Sequence, residues 1–118
     1  MRFVLALVLA LTGAGAAAEE VASAPGAVVR ALDKVSGETT DLDLARGTTV
    51  TFGRLAVTLS DCRYPVADPS ANAYAHLTIV DTASGATVFD AWMVAASPAL
   101  SALDDPRYDV WVIRCRSE

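Results

Sequence analysis

The stretch FDAWMVAASPALSALDDPRYDVWVIRCR, Phe89 to Arg116, decides the fold class. It holds both tryptophans and the second of two cysteines. Tyr108 to Cys115 is a run rich in Val, Ile and aromatic residues, the composition of a strand. Successive strand side chains point to opposite faces. Asp109, Trp111, Ile113 and Cys115 therefore share one face, and Tyr108, Val110, Val112 and Arg114 the other. Both faces are largely apolar, so both are expected to be covered. Upstream, Ser97 is a good helix N-cap and Pro98 suits the first helical position, where no N–H is needed. Leu100 and Leu103 are three apart and fall on one helical face. Asp104-Asp105-Pro106 then stops the helix, because the residue before a proline is pushed out of the α region. A short helix is expected to lay Leu100 and Leu103 over the strand.

Outward from this stretch the chain continues in short strands. Ala73 to Asp81 and Ala86 to Met93 read as two. Val28 to Leu32 reads as a strand, and Thr40, Leu42 and Leu44 alternate with Asp41 and Asp43 as in a half-buried one. Thr48 to Leu59 reads as a hairpin with Gly53-Arg54 in a two-residue turn. Phe52 then faces Leu55, and Val50 faces Val57. In that register Cys62 falls on the polar side unless a bulge near Ser60-Asp61 re-aims it. Arg63 to Asn72, with Pro65 and Pro69, is a loop. The turns Asp33 to Thr39 and Asp81 to Thr87 share the pattern Asp-x-x-Ser-Gly-x-Thr. We read this as one turn chemistry used twice, an Asp bonding local backbone and a Gly at positive φ. A duplicated half-domain is the competing reading. About seven strands with regular turn signals and one short helix predict an all-β fold, a small antiparallel sandwich or partly open barrel.

Residues 1–18 carry a basic Met1-Arg2, an apolar run Phe3 to Leu11 and the small residues Ala16-Ala17-Ala18, the pattern of a cleaved signal peptide. Residues 19–26 are expected to be a mobile leader and residues 27–118 a single domain. Cleavage after Ala18 would leave 100 of the 118 residues, with 8 basic and 14 acidic groups once Arg2 is gone, a net charge of −6. That balance argues against nucleic acid and anionic membrane surfaces. No second apolar run is long enough to span a bilayer. No cysteine adjoins the cleavage site, so periplasmic export without a lipid anchor is expected.

Several of these residues also resemble a known family. Trp92-Met93, Ser97-Pro98-Ala99-Leu100, Pro106 and Tyr108 to Val112 are similar to the signature of domain-of-unknown-function family 2155, small exported proteins of Gram-negative bacteria. Leu32-Asp33-Lys34, Ser36-Gly37 and Phe52-Gly53-Arg54-Leu55 ahead of Cys62 match it as well. The resemblance implies an exported domain with paired cysteines and supplies no catalytic residues.

Two thiols in an exported chain normally pair. A Cys62–Cys115 bridge is therefore expected, with Trp111 packed beside it on the Cys115 face. The lone His76 lies mid-strand beside Tyr74 and Thr78 and reads as a surface histidine. One imidazole and two paired sulfurs are too few ligands for a transition metal, so no metal or cofactor is expected. Asp41-x-Asp43 departs from a calcium loop at Ala45, Gly47 and Phe52. No catalytic set emerges. Two function classes follow: a non-catalytic envelope module that binds a protein partner, or a small binder or hydrolase of cell-wall glycans that uses carboxylates and Trp92. Asp90 shares the Trp92 face and makes full burial of that face costly. Trp92, Met93, Pro98 and Leu100 are the candidate partner surface, since aromatic residues and Met are enriched at interfaces; the competing reading places Trp92 and Met93 in the core, where a small domain needs its large apolar residues.

Overall fold

The structure, a computed structural model, describes residues 19–117. The expected signal peptide lies outside the described residues. Eight strands and one 3-10 turn form two antiparallel sheets: β1 (Val21–Ala24), β2 (Gly26–Asp33), β3 (Thr39–Ala45), β4 (Thr49–Phe52), β5 (Leu55–Pro65), β6 (Tyr74–Asp81), β7 (Thr87–Val94), the turn Pro98–Leu100, and β8 (Tyr108–Arg116). One sheet runs β1-β5-β6-β7 with β4 also on β5, and the other runs β3-β2-β8. The expected all-β fold is what forms, as two sheets and not a closed barrel.

The two inner faces make the core. Ala27, Val29 and Ala31 of β2, Leu42 and Leu44 of β3, and Val110 and Val112 of β8 pack against Leu55, Val57 and Leu59 of β5, Ala75, Leu77 and Ile79 of β6, and Met93 of β7. Period-two alternation puts the polar partners of these residues outside. The hairpin turn falls at Gly53-Arg54, with Phe52 opposite Leu55 and Val50 opposite Val57. Gly53 has φ 56° and sits so close to the Tyr108 hydroxyl that a Cβ would collide with it. That hydroxyl accepts the Arg54 N–H at 3.3 Å, and the Phe52 and Tyr108 rings meet edge to face at 5.9 Å.

The eighth strand comes from the segment read as a leader. Residues 19–26 contain β1, which pairs with β5 from Val21 opposite Pro65 to Ala24 opposite Cys62. The expected helix is only the 3-10 turn Pro98–Leu100, and the Ser97 side chain makes no capping bond. Leu103 is buried but Leu100 is 78% exposed. The turn ends at Leu100, so Leu103 lies beyond it in extended chain and no helical face carries both leucines.

The repeated turn pattern goes deeper than turn chemistry. In the first copy Asp33 Oδ1 accepts the N–H groups of Val35 and Ser36, and Ser36 Oγ accepts that of Glu38. In the second, Asp81 Oδ1 accepts from Ala83 and Ser84, and Ser84 Oγ from Ala86. Lys34 N–H donates to the Arg107 carbonyl just before β8, and Thr82 N–H to the Arg54 carbonyl just before β5. The strands follow suit. Asp33 is opposite Tyr108 as Asp81 is opposite Leu55, and Gly26 is opposite Arg116 as Tyr74 is opposite Arg63. Both ladders carry one bulge at the same place, Ile113 in β8 and Ser60 in β5. The sheet β3-β2-β8 and the strands β7-β6-β5 are thus two copies of one three-strand unit, equivalent in turn and in the ladder to β8 or β5 with its bulge, while β7 carries one further bulge at Val88 that β3 lacks.

The bulges decide where the cysteines point. Each inserts one residue and flips the strand beyond it. The Ser60 bulge turns Cys62 into the core, where it is fully buried. The Ile113 bulge does the same for Cys115 and sets it on the core side with Val112. The two sulfurs lie at disulfide distance, with Cα atoms 5.7 Å apart and a sequence separation of 53. Trp111, before the bulge, keeps its own parity and points away from the bridge. The expected packing of Trp111 on the bridge does not occur.

Candidate functional site

The outer face of the larger sheet is built from residues of opposite parity to the core. Arg63 of β5 is opposite Tyr74 of β6, which is opposite Val94 of β7. One step along, Asp61 is opposite His76, and His76 opposite Trp92. Ser23 of β1 is opposite Arg63. Polar and aromatic side chains from four strands thus share one surface.

Trp92, on the edge strand β7, has 37% of its surface exposed. The Arg63 guanidinium lies over the indole, Cζ 4.8 Å from the ring centroid, a cation–π distance. The His76 ring is tilted against the indole at 5.3 Å. Val21, Arg63, Tyr74 and Trp92 line a shallow depression of about 290 Å³. The rim is polar. Asp90 Oδ1 accepts Thr78 Oγ1 at 3.2 Å and lies 3.3 Å from His76 Nε2. Asp61 Oδ2 accepts Ser23 Oγ at 3.2 Å and Arg63 Nε at 2.9 Å. Its other oxygen is buried with no hydrogen-bond partner among the described residues, 3.9 Å from Arg46 Nη1. Tyr74 donates its hydroxyl to Glu19 at 2.8 Å, and this bond to a carboxylate raises the phenol above its ordinary pKa.

The four candidate partner residues are not brought together on one surface. Trp92 belongs to this outer face. Met93, its chain neighbour, points inward and is 2% exposed, because adjacent strand residues face opposite ways. It is core and offers no adaptable surface beside Trp92. Pro98 lines a different depression, with Ala99, Ala102, Asp109 and Trp111. Leu100 projects from the 3-10 turn. Arg63, Tyr74 and Val21 were not candidates from sequence. The pairing of Tyr74 with His76 on one strand face was the available signal, whereas Arg63 reaches this face only through the Ser60 bulge.

Among the described residues no group of three or more His, Cys, Asp or Glu side chains could hold a metal ion. No helix among them is long and apolar enough to cross a membrane. What the outer face offers is an exposed indole, a guanidinium already oriented on it, and a polar rim. A family model described as "Uncharacterized protein conserved in bacteria (DUF2155)" matches residues 27–115. No curated protein and no solved structure matches the chain.

Proposed function

Because the chain belongs to the bacterial family DUF2155, we propose, with that membership as premise, that it is a non-catalytic module of the cell envelope. On this reading it binds a protein partner through the outer face around Trp92. The observation that carries the reading is the exposed indole that lines one shallow depression with Val21, Arg63 and Tyr74 on the outer face of the larger sheet. Aromatic residues and Arg are the side chains most often found at the energetic centre of interfaces. The depression is shallow, which suits a protein surface better than the enclosed cleft of an enzyme. Export to the periplasm is part of the proposal, supported by the signal pattern in residues 1–18 and the Cys62–Cys115 pair. Intact mass of periplasmic material beginning at Glu19 would bear out cleavage, and a species beginning at Met1 would not.

The test of binding pairs folding with capture. Trp92→Ala should melt close to wild type and lose a partner that the wild type retains after crosslinking in the periplasm. A stable variant that captures the same partner equally well would refute the reading. The glycan reading has one observation in its favour, an exposed indole flanked by Asp90 and His76. Co-sedimentation with purified cell-wall sacculi, abolished by Trp92→Ala, would establish it in place of the protein-binding one.

A further inference from the structure

We infer that the Trp92 depression is a carboxylate site, which takes an acidic group of a partner polypeptide on the terminal nitrogens of Arg63. This rests on the proposal that the face binds a protein, and adds the chemistry that is recognised.

The internal repeat supplies the template. Arg63 and Arg116 occupy equivalent positions, opposite Tyr74 and Gly26 respectively. Trp92 and Asp43 are also equivalent, opposite His76 and Val28. In the smaller sheet Arg116 crosses Gly26, where a Cβ would strike its guanidinium, and Nη1 donates to the Asp43 carboxylate on the far strand. The larger sheet keeps the guanidinium and replaces the far-strand carboxylate with an indole. Arg63 is fixed through Nε on Asp61 and rests over Trp92. Among the described residues nothing accepts a hydrogen bond from its Nη atoms. The donor edge that Arg116 spends on Asp43 is open in Arg63, and it opens beside exposed Trp92 and Val21.

An arginine held at Nε and stacked on an aromatic ring has given up much of its rotamer freedom before a ligand arrives. Its free edge matches a carboxylate, and a charge-assisted bond there is stronger than a neutral one. The indole and Val21 add apolar surface for a neighbouring aliphatic group. The shallow depression covers one side chain or chain end, so the rest of the ligand must find contact on the surrounding sheet, as a polypeptide can. The chain's net charge of −5 slows encounter with an acidic segment, but salt screens it beyond about 10 Å at 0.1 M while contact pairs persist.

The experiment is titration of the isotope-labelled protein, followed at the Trp92 indole N–H. The probes are N-acetylleucine, N-acetylleucinamide, N-acetyl-leucyl-glutamate amidated at its chain end, and N-acetylmuramic acid. One or both peptide carboxylates should shift the resonance saturably, and which of them does so tells a chain end from an acidic side chain. The neutral amide should bind about tenfold more weakly or worse, the factor expected for losing a hydrogen bond to a charged group. Arg63→Gln should weaken the acids to the level of the amide, and Arg116→Gln should leave them unchanged. Equal binding of acid and amide, or undiminished acid binding in an Arg63→Gln variant that melts like wild type, overturns the carboxylate site while leaving a protein-binding face. A response to N-acetylmuramic acid alone, or to no probe, also overturns it. Only the capture test on Trp92→Ala bears on the wider proposal.

Discussion

Removing the Cys62–Cys115 bridge should cost the domain a large part of its stability. The perturbation is the double variant Cys62→Ala/Cys115→Ala, with chemical reduction of the wild type as a parallel. With a sequence separation of 53 between the two cysteines, the chain-entropy relation gives about 4 kcal/mol of stabilisation, through loss of freedom in the unfolded chain. Small domains hold only about 5–15 kcal/mol in total. For a chain near this length each kcal/mol moves the melting point by roughly 4–8 °C, so a fall of roughly 15–30 °C is expected. Urea unfolding should show a lower midpoint and a steeper slope, because the uncrosslinked unfolded chain exposes more surface. Reduction should leave the native emission of Trp111 unchanged, since that ring points away from the bridge. A loss below about 1 kcal/mol would refute the entropic account. Thiols that alkylate freely without reductant would refute the bridge itself.

Three further outcomes follow from the packing. Gly53→Ala should cost about 2 kcal/mol or more in chemical denaturation, combining a left-handed φ with a collision at Tyr108; Gly37→Ala, with a similar φ and open space, should cost only about 1 kcal/mol. Met93→Ala should destabilise by about 2–5 kcal/mol as a core truncation, and Trp92→Ala should melt markedly higher than Met93→Ala; the reverse order would put the indole in the core. The hydrogen bonds from Arg107, aided by the Val35 and Ser36 N–H groups against some desolvation, hold the Asp33 carboxyl below its ordinary range. Its contribution is therefore complete above the unfolded carboxylate pKa of about 4 and lost as pH falls below it. Asp33→Asn should flatten the acid limb of a stability–pH profile, and an unchanged limb would remove Asp33 from that role.

The hairpin at Gly53-Arg54 and the alternation in β3 were legible in sequence because each is a local pattern, whereas Asp90 beside Trp92 argued against full burial of that face without deciding between a core and a surface indole. The Ser60 bulge could be stated as a condition, since without it Cys62 faces solvent. The Ile113 bulge could not, because Val112-Ile113-Arg114 shows no local preference for it and the ladder to β2 imposes it. That one inserted residue separates the sequence reading of Trp111 from its true place. Val21 to Ala24 escaped notice because four small residues acquire strand structure only from the β5 edge they pair with. The rest of the site was hidden for a related reason. Arg63, Tyr74 and Trp92 come from three strands, and their meeting depends on register. The repeat was hidden by permutation: the strand of the first unit that corresponds to β5 stands at the end of the chain, as β8.

That permutation dictates an order of events as the chain emerges N-terminus first. A chain emerges from its N-terminus, and domains assemble as their parts become available. The unit β5-β6-β7 is contiguous and can close on itself as soon as Val94 is out. The hairpin β2-β3 is the first strand pair that can form but cannot complete its sheet until β8, the last of the eight strands, is released. Its central strand must wait with one edge unpaired, which is the exposure that invites aggregation. Cys115 is released with β8, so Cys62 cannot pair with it until that strand is out. The sheet that begins first is the one that finishes last.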